Sequence, residues 1–151
     1  MKAAASLAVR LATMDDLDPL AGLVEQYRQF YKQAPSDGTR PYLKDRISRN
    51  ESVILVAEKG AQLVGFTQCY PTFSTVSLSS IWLLNDLFVD PAHRGEHVAD
   101  QLMQVAEATA RKAGASRIWL RTAHTNAAAQ ALYEKRGWIR DEVFQRYDLV
   151  F

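Results

Sequence analysis

The stretch HRGEHVADQL, His93 to Leu102, has the residue types of an anion-binding helix start. Gly95 and Ala99 would let phosphate oxygens approach the backbone, where a larger side chain would stand in the way. The first amides of a helix have no intrahelical acceptor, and the helix dipole favours a negative charge there by roughly 0.3–2 kcal/mol. Arg94 adds a charge-assisted contact. The same residues equally describe an ordinary helix start. His97 stands where a second glycine would be expected. GEHVAD lacks the G-x-G-x-x-G pattern of a dinucleotide loop, and no Gly-Lys-Ser/Thr follows as in a P-loop. His93 and His97 have i,i+4 spacing, but they straddle a loop–helix junction and lack a third ligand, so no metal site is expected.

A second stretch, TNAAAQALYEKRGW over residues 125–138, places Asn126 at a helix N-cap and Tyr133 close to two turns later, on the same side. A tyrosine there can donate a proton, with pKa near ~10, or simply pack.

The elements that must hold these stretches follow from periodicity. LAVRLA predicts a first strand, and Thr13 with Asp16 has capping-box spacing. Leu17, Leu20, Leu23, Val24, Tyr27 and Tyr31 form a helical stripe that begins around Asp18, with Pro19 tolerated in the first turn. APSDGTRP marks a loop, and a shorter helix is expected from Tyr42 to Arg49. SVILVAE and QLVGFTQCY, separated by KGA, read as a hairpin, with PTFSTVSLSS a loop or strand end. IWLLNDLFV reads as a central strand buried on both faces, ended by Asp90 and Pro91.

A long helix is expected from near Gly95 to Gly114, burying Val98, Leu102, Val105, Ala106 and Ala113. RIWLRTA is read as another strand, Asn126 to Arg136 as a helix closed by Gly137, and WIRDEVFQRYDLVF as strand-like alternation. The mixture predicts an α/β (α+β) fold: one mixed sheet with helices on its faces.

The 151 residues read as one domain, 1–151. A net charge of +1 provides no basic field for nucleic acid. Cys69 is the only cysteine and is read as a small buried residue; the absence of a disulfide framework suits a cytoplasmic location. Lys2 and the small apolar residues after it resemble a signal peptide only faintly, since Arg10 interrupts the segment. No run approaches the roughly 20 apolar residues of a spanning helix, so no membrane association is expected.

Taken together, VRLATMDDLDPLAGL, LVGFTQCY, LNDLFVDPAHRGEHVADQLM and TNAAAQALYEKRGW resemble the GNAT superfamily of acetyl-CoA-dependent N-acetyltransferases over most of the chain. FTQCYPTFS and LNDLFV are also similar to its Hpa-type and spermidine/spermine acetyltransferase branch. The resemblance implies a twisted, mostly antiparallel sheet of six to seven strands flanked by about four helices. It implies that the backbone of Leu87, Phe88 and Val89 pairs with the pantetheine arm. The amides of Arg94, Gly95, Glu96, His97, Val98 and Ala99 would hold the pyrophosphate, and Asn126 would fix the coenzyme. Tyr133 would protonate the leaving thiolate. A free amine would attack the thioester directly, with no covalent enzyme intermediate and no metal.

Asp86 lies on the implied strand and is read either as the general base or as a structural carboxylate; some relatives carry a glutamate where this chain has Asn85. The family usually has glycine at the position of His97, which either crowds the coenzyme or turns its ring outward. The implied acceptor site involves the first two helices. There Tyr27, Phe30 and Tyr31 would wall a pocket and Asp37 or Glu25 would attract a cationic amine, or the rings are core and the charges solvated. The expected acceptor is the primary amine of a small molecule, polyamine-like or an amino acid. The alternatives are a protein lysine or N-terminus, and a non-catalytic coenzyme-A-binding sensor or partner subunit. Many relatives are dimers, so the resemblance allows a homodimer, although no residue of this sequence locates an interface.

Overall fold

The computed structural model describes residues 4–151, so Lys2 lies outside the described residues. The chain divides into two units, 1–120 and 121–151, described separately below.

The first unit is a five-stranded sheet, β1 (Leu7–Leu11), β2 (Val53–Lys59), β3 (Gln62–Ser74), β4 (Ser79–Val89) and β5 (Arg117–Trp119), in the spatial order of the sequence. The first four strands pair antiparallel, and β5 joins β4 in parallel. Helices α1 (Leu17–Phe30) and α2 (Thr39–Ser48) lie between β1 and β2, and α3 (Val98–Lys112) connects β4 to β5. Pro19 sits in the first turn of α1, where its missing N–H costs nothing. The second helix starts three residues earlier than its sequence suggested, because Pro41 falls in its first turn rather than before it.

Strand alternation sorts the side chains between two layers. Ile54, Val56, Phe66 and Phe88 face Leu17, Leu20 and Leu23 of α1, with Leu43 of α2 closing that core. On the other face α3 buries Val98, Leu102, Met103, Ala106 and Ala110. Ala113, expected on the buried stripe, is exposed beyond the last turn, and Met103 and Ala110 take up the stripe instead. A Cβ on Gly65 would stand 3.0 Å from the Phe88 carbonyl and 3.2 Å from both Leu102 and Val98, so glycine permits this close helix–sheet approach. The helix ends with the paired bonds of a Schellman motif, Ala115 N–H to the Ala110 carbonyl and Gly114 N–H to that of Arg111, with Gly114 at φ 84°.

The second unit holds α4 (Ala127–Lys135), which repeats this design: Trp138 N–H bonds the Tyr133 carbonyl, Gly137 N–H bonds that of Glu134, and Gly137 has φ 87°. Residues 138–151 form no strand, so the described sheet has five strands, fewer than the six to seven expected. An alternating segment becomes a strand only with a ladder partner, and none pairs with this one among the described residues. No helix among the described residues is long and apolar enough to cross a membrane.

Candidate active site

The site starts with an irregularity in the sheet. Gln68 pairs with Asp86, but the next residue, Cys69, pairs with Leu84, leaving Asn85 as an extra residue on β4. A regular strand would point Asn85 and Asp86 to opposite faces; at this bulge both line the same cavity. The cavity, about 420 Å³, opens between the sheet and the first two helices. Its walls include Tyr27 of α1, Tyr42 of α2, Phe66, Gln68 and Tyr70 of β3, and the Ser36–Gly38 loop.

Asp86 is held by neutral donors. Gln68 Nε2 donates to Oδ2 at 3.0 Å, and Asn85 Nδ2 approaches both carboxylate oxygens at 3.1 Å. Gln68 is 4% exposed, and its Oε1 accepts from Ser52 Oγ at 2.8 Å, so both ends of the amide are satisfied. Burial, reinforced by the charge of Asp86, pushes the Tyr27 phenol above its ordinary range. Cys69 is pushed up to about 12 by burial and by the same charge, so it is an unreactive thiol. The Tyr42 and Tyr70 hydroxyls meet at 2.7 Å, tying α2 to β3, and Arg46 lies over the Tyr42 ring.

Of the acceptor residues expected from sequence, Tyr27 lines the cavity. Tyr31 packs edge-on against Tyr27 at 5.1 Å between centroids and is 52% exposed. Asp37 is exposed in the loop, between the lining residues Ser36 and Gly38. Glu25 is engaged by Thr39 Oγ1, by Arg28 Nη1 at 3.0 Å and by Ser36 N–H, with the Thr39 bond the main cause of its depressed pKa. Gln68, Ser52, Tyr42 and Tyr70 were not anticipated. Their signal was a pair of polar residues, Thr67 and Gln68, inside the otherwise apolar run from Leu63 to Cys69.

A second feature lies farther along β4. The β4–β5 ladder stops at Leu83 and Trp119, so within this unit Leu87, Phe88 and Val89 pair only with β3. Past Val89 the chain makes a short 3₁₀ turn capped by Asp90, whose side chain accepts from Ala92 N–H at 3.0 Å. Arg94 then packs over Phe88 and donates from Nε to the Val89 carbonyl at 3.3 Å.

Gly95 has φ 80° and His97 φ 62°, both left-handed. His97 is the N-cap of α3 and thus keeps the backbone that glycine would adopt there. The first helical bond runs from Gln101 N–H to the His97 carbonyl, so the amides of Val98 and Ala99 precede the ladder. The Glu96 carboxylate is drawn aside to Lys59 Nζ at 2.8 Å and His93 Nδ1 at 3.2 Å, and the Lys59 bond holds its pKa down. Positive-φ backbone, helix-start amides outside the helical ladder and a guanidinium are the chemistry that fits a pyrophosphate.

In the second unit, Asn126 caps α4 by accepting from Ala129 N–H at 3.2 Å. Tyr133 packs its ring 6.1 Å from that of Trp138. Among the described residues no group of three or more His, Cys, Asp or Glu side chains is placed to hold a metal ion.

Comparison with known proteins gives the family and the fold. The model of the acetyltransferase (GNAT) family matches residues 20–138. The uncharacterized N-acetyltransferase YhfO of Bacillus subtilis (strain 168) is 43% identical over 142 residues, covering 93% of this chain and 95% of that protein. A solved structure of a probable acetyltransferase superposes with a TM-score of 0.90 at 39% identity, covering 95% of this chain and 97% of its own. An aminoglycoside N-acetyltransferase solved with CoA shares the fold at a TM-score of 0.82 and 17% identity, covering 99% of this chain and 98% of its own.

Proposed function

The chain belongs to the GNAT family of acetyltransferases, and from that premise we propose that it transfers an acetyl group from acetyl-CoA to the primary amine of a small molecule. The observation that carries this reading is the cavity of about 420 Å³ with Asp86 in its wall, on the strand that leads into the helix start at His97. Its size suits a small molecule. We read residues 1–151 as one acetyltransferase domain, since the family match runs from 20 to 138 across both units.

The coenzyme, when bound, supplies an acetyl group activated as a thioester. The backbone edge of Leu87, Phe88 and Val89, unpaired among the described residues of the first unit, is suited to its amide arm, and the amides from Arg94 to Ala99 to its pyrophosphate, with Asn126 a further contact. His97 does not close the cradle, because its backbone keeps the left-handed conformation that glycine would supply. An alkylammonium, pKa near ~10, must lose a proton before it can attack, and Asp86 accepts it directly or through water. An N–H of Leu87 or Phe88 steadies the oxyanion. The Tyr133 hydroxyl donates to the departing sulfur, which needs only modest assistance at a thiol pKa of about 8.5.

Calorimetric titration with acetyl-CoA, followed by a thiol-release assay on small amines and on a lysine peptide, tests the reading. Saturable binding with turnover of small amines is expected. Turnover confined to the peptide would assign the acceptor to proteins instead.

A further inference from the structure

The charge inventory of the cavity narrows the acceptor, on the basis of the small-molecule reading above. Two charged side chains line it, Arg28 and Asp86. Arg28 is engaged within the protein: its Nη1 donates to Glu25 at 3.0 Å and to the Ala34 carbonyl at 2.9 Å. That pair cancels its own charge at the α1–α2 junction. Asp86 differs, because the groups that donate to it, the amides of Gln68 and Asn85 and the Tyr27 hydroxyl, are uncharged, and it pairs with no lysine or arginine among the described residues. Neutral donors orient a carboxylate without cancelling its charge. The other titratable groups within its field are phenols and a thiol, Tyr27 from α1 and Cys69 and Tyr70 from β3, with Tyr42 of α2 bonded to Tyr70. None of these carries charge at neutral pH.

We propose that the acceptor is a monocationic amine with an uncharged aromatic or aliphatic body, its single ammonium on Asp86 and its body against the rings of Tyr27, Tyr42 and Tyr70. A second ammonium finds no unengaged carboxylate in the wall, since Glu25 is held by Arg28 and Thr39. A carboxylate on the acceptor finds no unengaged cation and meets the field of Asp86 instead. The rings offer the body apolar faces and the ammonium a second, weaker attraction. Polyamines and amino acids are thereby disfavoured within the class of small amines.

The test is an initial-rate panel at saturating acetyl-CoA with phenethylamine, phenylalanine, spermidine and a lysine peptide. The expected kcat/KM for phenethylamine is about tenfold or more above phenylalanine and spermidine, the scale of one unpaired charge in a binding site. Two variants outside the catalytic machinery sharpen it. Glu25→Gln frees the Arg28 guanidinium and is expected to raise phenylalanine relative to phenethylamine; Arg28→Met frees Glu25 and is expected to raise spermidine. Preference of the unmodified enzyme for spermidine or phenylalanine overturns the proposal. Acetylation of the peptide alone, or of none of the four, overturns the small-molecule reading beneath it.

Discussion

Gln68 and Asp86 face each other across the β3–β4 ladder, with Nε2 of one 3.0 Å from Oδ2 of the other. Because an ionised carboxylate only accepts, the amide must present its nitrogen to Asp86 and its oxygen to Ser52, as it does. The sheet thus fixes the orientation of Asp86 with a residue two strands from the edge, at the point where the Asn85 bulge turns both side chains into the cavity.

Replacing that amide separates orientation from chemistry. Gln68→Leu is expected to lower kcat/KM about ten- to hundredfold, the worth of a hydrogen bond to a charged group, while the acetyl-CoA Kd stays unchanged. Gln68→Glu sets two carboxylates at hydrogen-bond distance, so one keeps its proton to higher pH. The acid limb of the kcat/KM profile should then move up by about a unit or more, a shift that a merely structural role would not produce.

His97 answers to backbone conformation. A left-handed residue other than glycine costs about 1–2 kcal/mol, less for histidine than for β-branched residues. His97→Gly is therefore expected to keep the acetyl-CoA Kd within about threefold of the original, whereas His97→Val should both lower Tm and weaken binding. Calorimetry and thermal unfolding of the two variants check this together.

The pairing of Asp16 with Arg10 makes stability depend on acid. Asp16 is buried, accepts from Arg10 at 2.8 and 2.9 Å and from Thr13 N–H at 2.7 Å, and the Arg10 bond holds its pKa below the ordinary 3.8. A carboxyl depressed in the folded state stabilises fully above its unfolded pKa and loses that contribution as pH falls through the folded value. Asp16→Asn should cost about 1–3 kcal/mol near neutrality, toward the lower end because Arg10 is 38% exposed. Urea unfolding across pH should show the gap narrowing below about pH 3.8, toward the still lower folded pKa.

Gly65 tests the packing beneath α3. Gly65→Ala brings a methyl within 3.0 Å of the Phe88 carbonyl and 3.2 Å of two α3 side chains, and backbone cannot yield as a flexible chain end does. The expected cost is about 1–3 kcal/mol, read by urea unfolding, with weaker acetyl-CoA binding as α3 is displaced.

Much of this was legible before the fold. The caps and stops of the helices, Asp16, Asn126, Gly114 and Gly137, act over a few residues, and each appears with the geometry its type implies. What escaped is long-range. Ser52 and Gln68 are separated by 16 positions, and only the β2–β3 register brings them together. The Asn85 bulge is invisible in a run of apolar residues, because alternation does not say where a strand takes an extra residue. Alternation over Trp138–Phe151 suggested strands that do not form, since periodicity supplies a face but not a partner. Residue type left two readings of His97 open, crowding or an outward ring, because the sequence does not state the backbone conformation, which is left-handed at φ 62°.

The most direct measurement compares acetyl transfer to phenethylamine by the unmodified enzyme and by Asp86→Asn, with acetyl-CoA affinity measured on both. The substitution keeps shape but removes the acceptor of the ammonium proton, so kcat should fall about a hundredfold or more while the acetyl-CoA Kd is unchanged. Turnover by Asp86→Asn within about twofold of the unmodified enzyme would contradict the role given to Asp86, because a general base contributes about a hundredfold or more.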